Sequence, residues 1–342
     1  MKENVLTDYL RSVKPPETLL LNRSEVARLL PFGECVEAVE NAFRLHAQGK
    51  SLRSALLHVD SQDGEFHIKA GGLDLGRLFF GLKVNGGFFQ NIIRFGMPNI
   101  QGVILLADGE NGYPLALMDS REITAKRTGA ATAVAAKYLA REGSEIATVC
   151  GCGTQGRMQL RALAHVLPLK QVFAFAREVT KAVAFAREMR EQMGLKITIT
   201  NDLKDAVAQS DVCVTCTPSR EFFLTKDCVS PGTFIAAVGA DSPAKQELEP
   251  SLVRSSKVVV DILEQCAEVG ELHHAIKQGM SKEDVHAELG EIVAGRKPGR
   301  TSKEEIIIFD STGTALQDVA AAAAVYQKAL RLREGHAFDF FA

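Results

Sequence analysis

Ile146-Ala-Thr-Val-Cys-Gly151-Cys-Gly153-Thr154-Gln155-Gly156-Arg-Met-Gln-Leu160 is an apolar strand-like run that breaks into three glycines and then a helical pattern. The spacing is that of a nucleotide-binding βαβ unit. The first glycine permits a tight turn, the second lets backbone approach a pyrophosphate, and the third lets helix pack close to strand. Thr154 and Gln155 open the helix whose N-terminus would face the phosphates. A second strand, Gln171-Val-Phe-Ala-Phe-Ala176, follows at the expected distance. NAD-selective domains place an acidic residue at the end of that strand, on the ribose hydroxyls. Here the residues are Ala176-Arg177-Glu178. Arg177 suits a 2′-phosphate, so NADP(H) is expected over NAD(H), and a strand ending two residues later would make Glu178 the reader and reverse the preference.

The chain has 342 residues, 46% hydrophobic and 24% charged, which is a soluble composition with room for two domains. A net charge of -2 gives no reason to expect nucleic acid or an anionic membrane as partner. No apolar run reaches the ~18 residues of a membrane span, and Met1-Lys-Glu-Asn-Val-Leu-Thr-Asp8 has no signal-peptide core, so a cytoplasmic location is expected. Seven cysteines, an odd number mostly within strand-like runs, argue for reduced apolar packers rather than disulfides. Cys213-Val-Thr-Cys216 has CxxC spacing, but it lies on a strand and no second ligand pair follows at zinc-site spacing. No metal site is expected.

Ahead of the glycine motif, Asn22-Arg-Ser24 introduces one helix, and Val36, Val39, Phe43 and Leu45 mark another from Glu34 to Gln48. Strand-like runs follow at 55–60, 65–70, 78–84, 102–107 and 113–119, punctuated by Asp63-Gly64, Gly86-Gly87 and Asp108-Gly-Glu-Asn-Gly112, which predicts an antiparallel sheet. An alanine-rich helix from Glu122 to Leu139 bridges to the nucleotide unit. That unit continues through strands at 196–200, 211–216, 233–239, 257–261 and 305–310. The hydroxyls of Asp310-Ser311-Thr-Gly-Thr314 are expected to cap a last helix, about 315–332, that returns to the first domain. The expected class is α/β: a Rossmann-type doubly wound NAD(P)-binding domain over 126–314, and a discontinuous N-terminal α+β substrate domain over 1–125 plus 315–342.

Six segments in order resemble the ornithine cyclodeaminase/mu-crystallin family: Leu82-Lys83-Val-Asn85, Gly112 to Asp119, Ile123-Thr-Ala-Lys-Arg127-Thr-Gly-Ala-Ala131, the glycine loop, Val238-Gly-Ala-Asp241-Ser-Pro-Ala-Lys245-Gln-Glu-Leu248, and Phe309-Asp-Ser-Thr-Gly-Thr-Ala-Leu-Gln-Asp318. The archaeal alanine dehydrogenase and ketimine reductase branches look most similar. The resemblance implies a homodimer joined through the N-terminal sheets, which would also cover an open sheet edge.

It further implies an oxidoreductase acting on the α C–N bond of a small amino or imino acid. Examples are a ketimine reductase such as a pyrroline-2-carboxylate reductase, and an alanine-dehydrogenase-like enzyme. Arg127 matches the family's substrate-carboxylate arginine, Lys83 a second substrate position, and Arg53 a possible third cation. Asp241 is the expected acid/base, assisted by Lys83, and its presence argues against a purely cofactor-binding protein like mu-crystallin. Thr128, Thr217, Val238, Gly239, Lys245 and Ser311 resemble positions lining the dinucleotide. Where the cyclodeaminases carry an acidic residue for a distal ammonium, this chain has Glu65-Phe-His67-Ile-Lys69, which weakens the case for ornithine. His67 and Lys69 fall on one side of a strand and are read as substrate-facing, with a solvated strand face as the plainer alternative. A cyclodeaminase, in which hydride is borrowed and returned, stays open as the second activity.

Overall fold

The computed structural model describes residues 17–340. The N-terminal stretch Met1–Asp8, read above for a signal peptide, lies outside them. No helix among the described residues is long and apolar enough to cross a membrane.

The first layer is built from β1 (Thr18–Leu21), helices α1 (Arg23–Leu29) and α2 (Phe32–Ala47), strands β2 (Ala55–Ser61), β3 (Gly64–Asp74) and β4 (Leu78–Gly87), a short α3 (Asn91–Phe95), and strands β5 (Ile100–Asp108) and β6 (Pro114–Asp119). Asn22 starts α1 as expected: its side chain accepts from the Ser24 and Glu25 amides while Glu25 reaches back to the Asn22 amide. The sheet runs β15-β1-β6-β5-β4-β3-β2, where β15 is the terminal His336–Phe338. It is mixed rather than wholly antiparallel, because β1 lies parallel to β6. Strands β1 and β15 escaped the sequence reading, being four and three residues long with no internal alternation to mark them.

Helix α4 (Ser120–Leu139), capped by Asp119, carries the chain across. It is buried nearly all round because small residues line every face, and Gly129 lets it approach Met158 of the next helix closely. The second sheet then forms from β7 (Ile146–Cys150), α5 (Thr154–Val166), β8 (Gln171–Phe175), α6 (Val179–Met193), β9 (Lys196–Ile199), α7 (Leu203–Ala208), β10 (Val212–Thr215), β11 (Phe234–Ala237), α8 (Pro250–Arg254), β12 (Lys257–Val260), α9 (Leu263–Val269), α10 (Glu271–Lys277), β13 (Ala287–Glu288), α11 (Leu289–Val293) and β14 (Ile307–Asp310). All its pairings are parallel, in the order β13-β12-β14-β11-β10-β7-β8-β9. Strand order reverses between β7 and β10, so the glycine turn after β7 sits at the switch point where such sheets bind ligands.

The last helix, α12 (Ala315–Leu332), packs on β3 and β4 and against α2. Its N-terminus is not capped by a hydroxyl: Thr314 occupies the cap position without a side-chain bond. The expected capping hydroxyls, Ser311 and Thr312, donate instead to the buried carboxylate of Asp261, which also accepts from the Gly313 amide at 2.8 Å. A charged acceptor outcompetes the helix end for them.

The cysteines are unbridged, and Cys150 and Cys213 pack as buried neighbours with sulfurs 4.0 Å apart.

Candidate active site

Alternation along β3 and β4 sets one face of the first sheet opposite the carboxyl ends of the second. Lys69 and Lys83 are cross-strand partners on that face, and both are buried. The Lys69 ammonium donates to the carbonyl oxygens of Thr312 at 2.8 Å and Gly313 at 2.6 Å, just beyond β14. At Lys69 this face is interior, whereas toward the hairpin end His58 and Asp60 on the same face are exposed. Lys83 pairs with Asp318 of α12 at 2.6 Å. The other oxygen of Asp318 accepts from Arg127 Nε at 2.9 Å, and Gln317 Oε1 accepts from Arg127 Nη1 at 2.9 Å. The guanidinium lies against Gly313 so closely that a Cβ there would overlap it, and Gly313 has φ +72°. Three cations and one carboxylate thus share a dry space made by β3, β4, α4 and α12.

Burial lowers the Lys69 ammonium, and Arg127 adds to that. Lys83 is pushed down to about 7 by burial and by Arg127, against the opposing pull of Asp318. Burial would raise the Asp318 carboxyl, but Arg127 and Lys83 outweigh it and hold it ionised. Lys83 therefore changes charge near neutral pH beside a fixed anion and a fixed cation.

Asp241 follows β11 and faces this cluster. Lys245 Nζ lies 2.6 Å from its Oδ1, so the lysine grouped above with the dinucleotide positions is in this structure the partner of Asp241. Burial would raise Asp241, but Lys245, Lys69 and His67 together hold it below the usual carboxylate range, and its side chain is 36% accessible. His67 lies on the same face of β3 as Lys69 and contacts Glu65 at 3.0 Å. Arg53 is exposed on the segment leading into β2 and is not part of the buried cluster.

Most of the positions grouped above with the dinucleotide, Thr128 of α4 apart, lie on the loops that follow β7, β8, β10, β11 and β14. Gly151 has φ +113°, and a Cβ on Gly156 would overlap the Gly151 carbonyl, so the turn exists only with glycine at both places. Gly153 opens onto free space at the start of α5, with Thr154 exposed. A pyrophosphate fits a cradle so shaped. The amides of Thr217 and Gly239 both donate to the buried Glu247, at 2.6 and 3.0 Å, which fixes the loops after β10 and β11 relative to each other. Val238 lies between them, half-buried, and Ser311 is tied to Asp261. Thr128 spends its hydroxyl on the Thr124 carbonyl within α4. Strand β8 ends at Phe175. Glu178 starts α6 with its carboxylate on Lys181, while Arg177 is exposed just past the strand tip.

Asp318, Gln317, Asp261 and Glu247 carry much of this geometry and received no role from sequence. The available signal was a Gln-Asp pair ahead of the run Val319 to Val325 of alanine and valine, since charge at the start of so apolar a stretch has to be paired inside the protein.

The ornithine cyclodeaminase/mu-crystallin family model matches residues 16–332. The chain belongs to this family. An alanine dehydrogenase of Archaeoglobus fulgidus is 40% identical over 326 residues, covering 95% of this chain and 99% of that one. Among solved structures, an archaeal alanine dehydrogenase dimer with bound NAD superposes with a TM-score of 0.89 at 40% identity, covering 95% of this chain and all of that one. The Thermococcus litoralis Δ1-pyrroline-2-carboxylate reductase, in complex with NADH and L-proline, gives 0.88 at 35% identity, covering 93% and 99%. The Paracoccus denitrificans iminosuccinate reductase with NAD+ gives 0.87 at 31% identity, covering 95% and 100%.

Beneath the loops, Asp310 Oδ2 accepts from the Leu272 amide, and burial raises the carboxyl to about 7. That is well above the ~3.9 of an unfolded aspartate. The folded state therefore holds a proton that the unfolded chain releases between roughly pH 4 and 7, and the stability this confers falls as pH rises through that window. Asp310→Asn is expected to flatten part of that decline in urea midpoints measured from pH 4 to 8. A decline as steep as that of the unsubstituted protein would contradict this.

Proposed function

We propose that this chain is an NAD(P)H-dependent oxidoreductase of the α C–N bond, reducing a small α-imino acid to an amino acid or running in reverse. The observation that carries the reading is the buried cluster of Arg127, Lys83 and Lys69 around Asp318, with Asp241, just beyond β11, on its Lys69 side. Arg127, oriented by Asp318 and Gln317, offers a guanidinium fork for the substrate's α-carboxylate. Asp241 stays ionised, so it favours a protonated, iminium-like nitrogen over a neutral one. Lys83, with its pKa near 7, is the group that gives or takes a proton at working pH. The bound reduced nicotinamide supplies hydride. The surrounding burial keeps water from the reacting carbon and strengthens each charge interaction. Lys69, with His67 beside it, lines the far side of the pocket with a cation that disfavours a distal ammonium, and Arg53, exposed ahead of β2, is a candidate outer contact for an anionic substrate group.

Arg177 at the tip of β8, with Glu178 engaged by Lys181, supports NADP(H) over NAD(H). Gly151, Gly153, Thr154, Gln155 and Gly156 would hold the pyrophosphate, and Thr128, Thr217, Val238, Gly239, Lys245 and Ser311 would border the rest. The working form is a homodimer through the first sheet. Its outer face exposes Leu57, Val59, Phe66, Val103 and Leu117 at alternating strand positions, an apolar surface suited to a second copy. The division into a nucleotide unit over 126–314 and a substrate unit over 1–125 plus 315–342 goes with this arrangement.

The experiment is absorbance of the reduced nicotinamide with NADPH and then NADH, against pyrroline-2-carboxylate, piperideine-2-carboxylate and pyruvate plus ammonia, with ammonia release from ornithine followed alongside. NADPH oxidation by one of the imines is expected, and ammonia release from ornithine without net oxidation would favour a cyclodeaminase instead. Arg177→Ala should lower kcat/KM for NADPH at least about tenfold while leaving NADH within about twofold, consistent with loss of a charge-assisted phosphate contact. Equal losses for both cofactors would remove Arg177 from the ribose site. Asp241→Asn should lower kcat by roughly 10²-fold or more with NADPH affinity nearly intact. A large loss of NADPH binding in that variant would refute the assigned role.

A further inference from the structure

The β2–β3 hairpin closes through Gln62-Asp63, and its register pairs His58 with His67 and Asp60 with Glu65 across the two strands. With a side-chain period of two, all four residues project from one face of the ribbon. His58 Nε2 lies 3.5 Å from Glu65 Oε2, His67 Nε2 lies 3.0 Å from Glu65 Oε1, and the two imidazoles meet edge to face with centroids 4.6 Å apart. One ligand atom from each of His58, Glu65 and His67 falls within 4.8 Å of the other two. Asp60 Oδ1 stands 3.1 Å from His58 Nε2 at the solvent side.

We propose that His58, Glu65 and His67 form a binding site for a divalent transition cation of the zinc class. Ligand arms of about 2.1 Å at tetrahedral angles put donor atoms roughly 3.4 Å apart, and the two histidine-to-Glu65 spacings of 3.5 and 3.0 Å lie around that value. The two imidazoles and the carboxylate converge on one point, which gathers two nitrogen donors and an oxygen donor where a single divalent ion could sit. Two nitrogens and a carboxylate are a donor set that suits zinc, with Asp60 or water at the open fourth position. Linear spacing conceals the site, because the ligands are joined by strand register and not by a CxxC-like interval.

Its place gives the ion a function. His67 precedes Lys69 by two residues on the same face of β3, and Lys69 grips the carbonyls of Thr312 and Gly313. A bound ion would lock the two strands of the hairpin and fix the wall of the pocket on that side.

The test uses the full chain freed of metal by chelator and then dialysed against Zn2+, with metal counted by mass spectrometry and Co2+ absorbance as a coordination probe. Neither readout requires turnover, so failure of the proposed reaction and failure of this site are distinguishable. One Zn2+ per chain is expected, with a visible Co2+ band of tetrahedral intensity. His58→Gln should weaken Zn2+ affinity at least about tenfold and abolish the Co2+ band, while its thermal midpoint in chelator stays at the unsubstituted value. Glu65→Gln serves as the second variant and should weaken binding likewise. No metal held by the unsubstituted chain, or variants that bind Zn2+ as tightly as the unsubstituted chain, would overturn the proposal.

Discussion

The carboxylate of Asp318, at the start of the last helix, binds Lys83 with one oxygen and Arg127 with the other, inside the protein. Two cations at that depth would be prohibitive without it, since desolvation of each charge costs several kcal/mol and like charges repel strongly at low dielectric. Removing one member of such a buried set typically costs about 3–5 kcal/mol because the remaining charges lose their partner. The contact joins strand β4, helix α4 and helix α12, elements more than 200 residues apart along the chain at their extremes. The contact of the last helix with the first sheet at this point and the orientation of Arg127 rest on this one anion, which also limits how far burial and Arg127 depress the Lys83 ammonium.

A second set of buried carboxylates sits under the nucleotide cradle. Asp261 gathers Ser311, Thr312 and the Gly313 amide, Glu247 gathers the amides of Thr217 and Gly239, and Glu271 in turn accepts from the amides of Glu247 and Leu248 at 2.7 and 3.1 Å. Loops that leave parallel strands have unpaired amides, and these side chains satisfy them in place of water. The result is a rigid floor: the loops after β10, β11 and β14 are tied to the protein body before any ligand arrives. Preorganisation of this kind is what positions a hydride donor against its acceptor.

The fold was legible where periodicity was strong. The glycine turn, the capped helix from Asn22 and the hairpin strands can each be read from spacing. The terminal strands could not, because three or four residues next to a boundary carry no period. The site was half legible. Arg127, Lys83 and Asp241 emerge through likeness to the family, and the strand alternation that places Lys69 and His67 on one face is visible in the letters. Which face is buried is not, since it depends on α12 returning from the other end of the chain to cover it. For the same reason the hydroxyls of Ser311 and Thr312 look like helix caps until Asp261, fifty residues earlier, is brought beside them. The approach of His58, Glu65 and His67 on the hairpin is a matter of register, which sequence leaves open until the turn is known to be two residues long.

Arg127, Lys83 and Asp241 are proposed to hold an imino acid so that its α-carbon could take hydride from a bound reduced nicotinamide. The most direct measurement is mass spectrometry and proton NMR of the amino acid formed from an imine with NADPH carrying deuterium at both C4 positions. One deuterium at the α-carbon of the product, in one configuration, is predicted, with one oxidised cofactor for each product molecule. Product formed without deuterium at that carbon, or with no net oxidation of the cofactor, would contradict it.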